Sequence, residues 1–276
     1  MRKTKIVVTF GPALMQGERL LEVLREADVV RLNASHGDLD TRSAALLRAR
    51  KLARELGREI PVFLDLQGPK WRVGLLEAPA NLQNGSVGAF HRVDAAAPGG
   101  VAWSAPLPHP ELIDAAFPGQ TWLLDDGAIV VEIQERHADH VLARVKAGGM
   151  LKARKGVHPV GGDVRTDPLT EKDIVDIKWG VENRVDLFAQ SFVRSADDMR
   201  ELQWRISQAG GQETPIIAKI EHPTALKNLH EILDVAWGVM VARGDLGVEL
   251  GVHAVPALQK QIIQASRMAL KPVITA

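Results

Sequence analysis

The sequence contains no cysteine. A disulfide framework, a zinc–thiolate site and a thiol nucleophile are therefore excluded, and a reducing compartment is compatible with that composition. Net charge is also missing, because 34 basic residues balance 34 acidic ones. Nothing in that balance favours nucleic acid or an anionic membrane as a partner, so any anion site must be local. No stretch approaches the roughly 20 uninterrupted apolar residues that span a bilayer. The opening apolar run in MRKTKIVVTFGPA is too short before Gly11 and Pro12 to act as a signal peptide, so the expected location is the cytoplasm. The segment VVTFGPALMQGE lacks the Gly-x-Gly-x-x-Gly spacing of a dinucleotide site.

What is present suffices for a substantial core: 276 residues, 46% of them hydrophobic, make one large domain or two smaller ones. Short apolar runs alternate with segments of helical period. KIVVTF precedes a helix near 17–27, VVRLNAS precedes one near 40–57, and PVFLDLQ follows. That is the grammar of a parallel sheet with crossover helices. From Lys70 to Thr166 it gives way to short alternating runs such as TWLLDD, AIVVEIQE and HVLARVKA, which predict an inserted all-β module. It then resumes with LTEKDIVDIKWGVENR, where Thr170 and Asp173 suit a helix cap. DLFAQSFV, a helix near 195–209, PIIAKIE, a helix near 223–233, GVMVAR, a helix near 254–269 and KPVITA complete the series. The expected fold is α/β: a (β/α)8-type TIM barrel seen through its seventh strand, formed by 1–69 and 167–276, with 70–166 as an inserted β domain. A doubly wound open sheet is the competing architecture.

Side chains two apart on a strand point the same way, so Lys219 and Glu221 share one face while Ile216, Ala218 and Ile220 take the other. The pair ends its strand, where βα barrels carry their active sites. The alternative is an internal ion pair closing the barrel mouth, and the stretch alone leaves both open. The next strand ends at Arg243, Gly244 and Asp245. Glu221 with Asp245 offers only oxygen ligands, which favours Mg2+ or Mn2+ over zinc. Gly244 and its neighbours also suit backbone N–H donation to a carboxylate or phosphate, although a plain turn is the better explanation of the dipeptide taken alone. Arg31, Asn33 and Ser35 end the second strand at period two, and Asp65 ends the third ahead of Lys70 and Arg72. An inward arginine needs an anion, so these residues describe a site for a phosphorylated substrate. Asn33 and Ser35 read equally as loop hydrogen bonders, and Arg154 with Lys155 as solvated surface.

The motifs TKIVVTFGPA, VVRLNASHG, LDLQGPKWRVG, LLDDGAIVVEI, RKGVHP, IIAKIEHPTALKNLHEIL and MVARGDLGVELG, in that order, closely resemble the pyruvate kinase family. The resemblance implies a (β/α)8 barrel with a β lid inserted after strand three, and phosphoryl transfer from phosphoenolpyruvate to ADP giving pyruvate and ATP. It implies Lys219 as the stabiliser of charge on the moving phosphoryl group and enolate oxygen, and Glu221 with Asp245 as the Mg2+ ligands. It implies Arg31 at the phosphate, His36, Arg72 and Lys155 on the nucleotide side, and Asn33, Ser35, Asp65 and the Leu66 carbonyl at a monovalent-cation position. A full-length member is expected to be a homo-oligomer. Lys70 stands where K+-requiring members carry glutamate, so K+ is expected to be dispensable; Ala34 and the Leu66–Gln67 pair are further departures from the family pattern. KPVITA ends where the family continues with a Thr-Gln-Met segment bearing an active-site threonine, to which Thr275 is not equivalent. Two other readings remain at this point, a Mg2+-dependent lyase or aldolase on pyruvate-like acids and a catalytically silent binding protein.

Overall fold

The computed structural model describes residues 3–11, 14, 19–161, 164, 166–211 and 213–276. In chain order the elements begin with β1 (Val7–Thr9), α1 (Leu20–Glu26), β2 (Val29–Asn33), α2 (Leu39–Glu55) and β3 (Val62–Asp65). There follow β4 (Ala80–Leu82), β5 (Val87–Arg92), β6 (Ser104–Leu107), α3 (Pro110–Ala115), β7 (Thr121–Leu124), β8 (Ile129–Arg136), β9 (His140–Ala147), β10 (Gly149–Leu151) and β11 (Val157–Pro159). The series then runs α4 (Glu171–Glu182), β12 (Leu187–Gln190), α5 (Ala196–Gln208), β13 (Ile216–Ile220), α6 (Pro223–Lys227) and α7 (Leu229–Val235). It closes with β14 (Gly238–Val241), α8 (Arg243–Leu250), α9 (Val255–Met268) and β15 (Val273–Thr275). The chain forms two compact units, Met1–Pro69 with Pro168–Ala276, and Lys70–Asp167.

In the first unit seven parallel strands pair in the order β1-β2-β3-β12-β13-β14-β15 and form the curled sheet of a barrel. Strand alternation sorts its side chains into two cores. Val30, Leu32, Leu64, Phe188, Ile216, Ala218, Ile220, Val239 and Val241 pack under the helices. Phe63, Ala189, Ile217 and Met240 form a separate cluster on the opposite face, with Val7, Val29, Leu187 and Ile274 against it. This two-sided burial is why the strands read as continuous apolar runs. Helix starts follow from local chemistry: Thr170 and Asp173 make the expected capping box at α4, and Ser195 accepts from the Asp198 amide at α5. Met199, Leu202 and Ile206 recur on one face of α5 and are buried, each contributing about 1.5–3 kcal/mol.

Some expectations change. Residues 17 and 18 of the expected first helix lie outside the described residues. The helix expected over 223–233 is two, α6 and α7, separated at Asn228, whose side-chain amide donates to the Arg194 carbonyl. Gly244 and Asp245 occupy the first turn of α8 rather than a simple turn, because the backbone becomes helical at Arg243.

The second unit holds a six-stranded sheet, β11-β7-β8-β9-β5-β6, and a two-stranded one, β10-β4. It is not all-β: α3 starts with Pro110, whose missing N–H costs nothing at a helix N-terminus. Phe90 meets Trp103 edge-on at 5.3 Å between ring centroids and lies 5.4 Å from Trp122. Gly88 lies under the Trp103 ring, where a Cβ would sit 2.1 Å from ring carbons, so only glycine fits.

Candidate functional site

On the face of the sheet that carries Phe63 and Ile217, the polar residues gather at the carboxyl ends of the strands. Thr9 ends β1, Arg31 lies near the end of β2, Asp65 ends β3, Ser191 directly follows β12, and Lys219 near the end of β13 is followed by Glu221. Strand period alone puts these side chains with the inner cluster rather than under the helices.

The Lys219 ammonium is buried among three oxygens. Its Nζ lies 2.8 Å from Glu221 Oε1, 3.2 Å from Asp65 Oδ1 and 2.7 Å from Ser191 Oγ. Burial alone would lower its pKa, but the carboxylates of Glu221 and Asp65 outweigh burial and raise it to about 12. The ammonium is therefore a fixed positive charge at every physiological pH. Glu221 is fully enclosed, and its Oε2 accepts from the Phe192 amide at 2.7 Å. Burial pushes its carboxyl up, Lys219 pulls it back, and the charge of Asp245 pushes it up again. Phe192 is held at φ +55°, a left-handed conformation that a bulky side chain seldom adopts, and its amide is thereby presented to Glu221.

Arg31 donates to Asp65 Oδ2 through Nε at 2.7 Å, its Nη2 lies 2.6 Å from the same oxygen, and Nη1 donates to Thr9 Oγ1 at 3.0 Å. This fork on a buried carboxylate leaves the guanidinium partly exposed. Arg31, Asp65, Lys219 and Glu221 are thus one connected ionic chain, the arrangement sequence spacing suggested for strands β2, β3 and β13. Ser35 does not continue the period-two face of β2. It lies in the turn beyond the strand, where its backbone N–H donates to Asn33 Oδ1 at 3.0 Å. The Leu66 carbonyl accepts from Ser191 Oγ at 2.7 Å, and His36 is exposed in the turn after β2. Gly244 is exposed, and no atom within 4 Å would oppose a Cβ there.

The remaining candidates belong to the second unit. Lys155 pairs with Asp125 Oδ1 at 2.6 Å, and Arg72 donates to the Arg154 carbonyl at 2.9 Å. Lys70 lies beside Gly156, whose hypothetical Cβ would come within 3.9 Å of Lys70 Cε.

Three groups escaped the sequence reading: Ser191, Thr9 and the Phe192 amide. A signal for Ser191 exists, because Leu187, Ala189 and Ser191 continue one period-two face. Gln190 by the same alternation points to the helix side, where it is buried with neither side-chain amide atom hydrogen-bonded among the described residues.

The oxygen-only donors at this end of the sheet could hold a small divalent cation. Among the described residues no group of three or more His, Asp or Glu side chains is arranged around a metal position, but Mg2+ commonly uses one or two carboxylates and completes its shell with water and substrate. Glu221 and Asp245 could supply two such carboxylates, because the charge of Asp245 pushes the Glu221 carboxyl up and a nearby cation would offset that push. Asp65 Oδ1 is buried and makes no well-directed hydrogen bond despite its 3.2 Å approach to Lys219.

Comparison with known sequences identifies the family. The family description "Pyruvate kinase, barrel domain" matches residues 1–276. Relatives called pyruvate kinase include one from Agrobacterium vitis, 41% identical over 276 residues and aligned with 100% of this chain and 57% of its own length. One from Geobacillus stearothermophilus is 38% identical over 282 residues, covering 100% of this chain and 47% of the relative. One from Mycobacterium tuberculosis is 39% identical over 277 residues, covering 100% of this chain and 58% of the relative. The chain spans about half the length of the curated relatives it matches. With a family match from one end to the other and a charged cluster at the carboxyl ends of its parallel strands, the chain belongs to the pyruvate kinase family and carries that family's barrel domain.

Proposed function

We propose that the full-length protein is a cytoplasmic pyruvate kinase, transferring the phosphoryl group of phosphoenolpyruvate to ADP. The observation that carries this reading is the Lys219 ammonium, buried yet charged, 2.8 Å from Glu221, the carboxylate that the charge of Asp245 also reaches. In this reaction the bond between phosphorus and the enol oxygen breaks, a bond from phosphorus to a terminal ADP oxygen forms, and the enolate left behind gains a proton at carbon to become pyruvate. Little covalent work falls to the protein; positioning and fixed positive charge do most of it.

Each residue then has a role. Arg31, already a fork on Asp65, turns its exposed edge to the phosphate of the substrate. Lys219 holds positive charge beside the moving phosphoryl group and the enolate oxygen. Gly244 and Asp245, in the first turn of α8, present backbone N–H groups to the substrate carboxylate. Glu221 and Asp245 would hold Mg2+ or Mn2+, which when bound supplies Lewis-acid polarisation of the phosphoryl and carboxylate oxygens. His36, Arg72 and Lys155 serve the nucleotide, and Lys155 must leave Asp125 to do so. Asn33, Ser35, Asp65 and the Leu66 carbonyl form the monovalent-cation position, and Lys70, standing where K+-requiring members carry glutamate, makes K+ dispensable.

The test is pyruvate formation by the full-length protein from phosphoenolpyruvate, ADP and Mg2+. Turnover is expected; phosphoenolpyruvate binding without turnover, or carbon–carbon cleavage of a hydroxy acid in its place, would overturn the reading. Turnover should persist in buffer free of K+ and Na+, because a tethered ammonium already provides the unit charge. Negligible rates restored by KCl would remove Lys70 from that role. Glu221→Gln should weaken Mn2+ binding by at least roughly tenfold, the lower end of what even outer-shell partners contribute to metal affinity. Isothermal titration with MnCl2 reads this directly, and unchanged affinity would place the metal elsewhere.

A further inference from the structure

We propose that Ser191 is a positioning residue for Lys219, fixing the ammonium in place without neutralising it. An ammonium has three N–H donors. Here their acceptors are Glu221 Oε1 at 2.8 Å, Ser191 Oγ at 2.7 Å and Asp65 Oδ1 at 3.2 Å, and the last is poorly directed. Asp65 is also committed through its other oxygen to Arg31. Two bonds of good geometry therefore set the ammonium, and Ser191 is the only uncharged member of the three.

That difference matters for the proposed reaction. A carboxylate attracts the ammonium and cancels its charge, whereas a hydroxyl attracts it and leaves the charge available to a phosphoryl group. The hydroxyl is itself oriented, since Ser191 Oγ gives its proton to the Leu66 carbonyl at 2.7 Å and so turns a lone pair toward Lys219. The corner that carries it is tightly built. Gly68 lies at φ +68°, and a Cβ there would come within 3.0 Å of Ser191 Cβ, so the β3 end closes directly over the serine. The next residue, Phe192, presents its amide to Glu221. One corner after β12 thus tethers both polar side chains of the β13 end, the ammonium by a side chain and the carboxylate by the backbone.

Without the hydroxyl, the remaining acceptors of the ammonium are the two carboxylates. It closes on Glu221 and competes with a divalent cation for the same oxygens, while the Leu66 carbonyl loses its donor in a buried place. The turnover part of this inference rests on the pyruvate kinase reading; the metal part does not.

The experiment compares the full-length wild type with Ser191→Ala and Ser191→Cys. Cysteine nearly preserves the volume but replaces a strong donor and acceptor with a weak one. Where the wild type turns over, kcat decides. Both variants are expected to lose roughly 10- to 100-fold in kcat, the range typical of groups that orient a site's ligands, with KM for phosphoenolpyruvate changing far less. Unchanged kcat in Ser191→Ala, a loss confined to KM, or a Cys variant equal to wild type beside an impaired Ala variant would overturn the assignment, the last by showing that only packing matters. If Ser191→Ala fails to fold, Ser191→Cys alone decides by the same criterion. Where the wild type shows no turnover, the pyruvate kinase reading falls and Mn2+ affinity decides instead. Weaker binding by the variants supports the inference, and equal binding, or none by any of them, overturns it.

Discussion

Lys219→Met is expected to lower turnover of the full-length protein by roughly a hundredfold to a thousandfold, the range lost when one preorganised donor to developing charge is removed. Methionine approximates the length and volume of the lysine stem, so the change removes the charge and little of the packing. The surrounding carboxylates do not become orphans. Asp65 keeps the Arg31 fork on Oδ2, and Glu221 keeps the Phe192 amide on Oε2. Glu221 loses the neighbour that pulls its pKa down, and a divalent cation held there would take over that part of the balance. Mn2+ binding is therefore expected to survive a substitution that removes most of kcat. Steady-state rates at saturating substrate, together with MnCl2 titration, check the two halves. A variant that turns over like the wild type would contradict the role given to the ammonium.

The parts of this site that the sequence discloses are those written in strand period. Lys219 and Glu221 interrupt an apolar run at spacing two, and Arg31 and Asp65 end runs of the same kind, so their shared face follows from backbone geometry alone. Ser191 obeys the same rule through Leu187 and Ala189, yet a serine after a strand is usually read as the start of a loop, and its hydroxyl bonds run to β13 and to the residue after β3. No local pattern carries that information. The helical state of Gly244 and Asp245 was hidden for a different reason: an Arg-Gly-Asp run has low helix propensity, and burial of Leu246 in the helix-side core overrides it. Asn228 divides its helix by donating to a carbonyl 34 residues away, a tertiary bond that periodicity cannot show. Longer-range still is the pairing of Arg42 with Asp176, 134 residues apart, which sequence leaves wholly unannounced.

Loss of that last pair carries the largest expected effect on stability. Arg42 of α2 and Asp176 of α4 are both buried, with Nη1 and Oδ1 2.7 Å apart. Lys172 Nζ approaches the other oxygen of Asp176 at 2.5 Å, and both cations donate to the Ala34 carbonyl, at 3.3 Å from Arg42 and 2.7 Å from Lys172. A single carboxylate thus balances two cations, which together pin the residue immediately after Asn33. Asp176→Ala leaves the Arg42 guanidinium buried over the Trp179 ring at 5.3 Å with no counter-charge, and its Nε already lacks a hydrogen bond. Lys172 can return to water because its side chain is 42% exposed, whereas Arg42 cannot without unpacking α2. Breaking a buried pair from one side costs about 3–5 kcal/mol, while replacing both partners by apolar residues of similar volume is often neutral. Asp176→Ala should therefore be far more destabilising than the double change Arg42→Met with Asp176→Leu. Urea denaturation of the full-length protein reads the difference as a fall in midpoint at constant slope. A loss for Asp176→Ala below about 1 kcal/mol, the worth of an exposed ion pair, would show that water reaches the guanidinium and that the pair holds no buried charge.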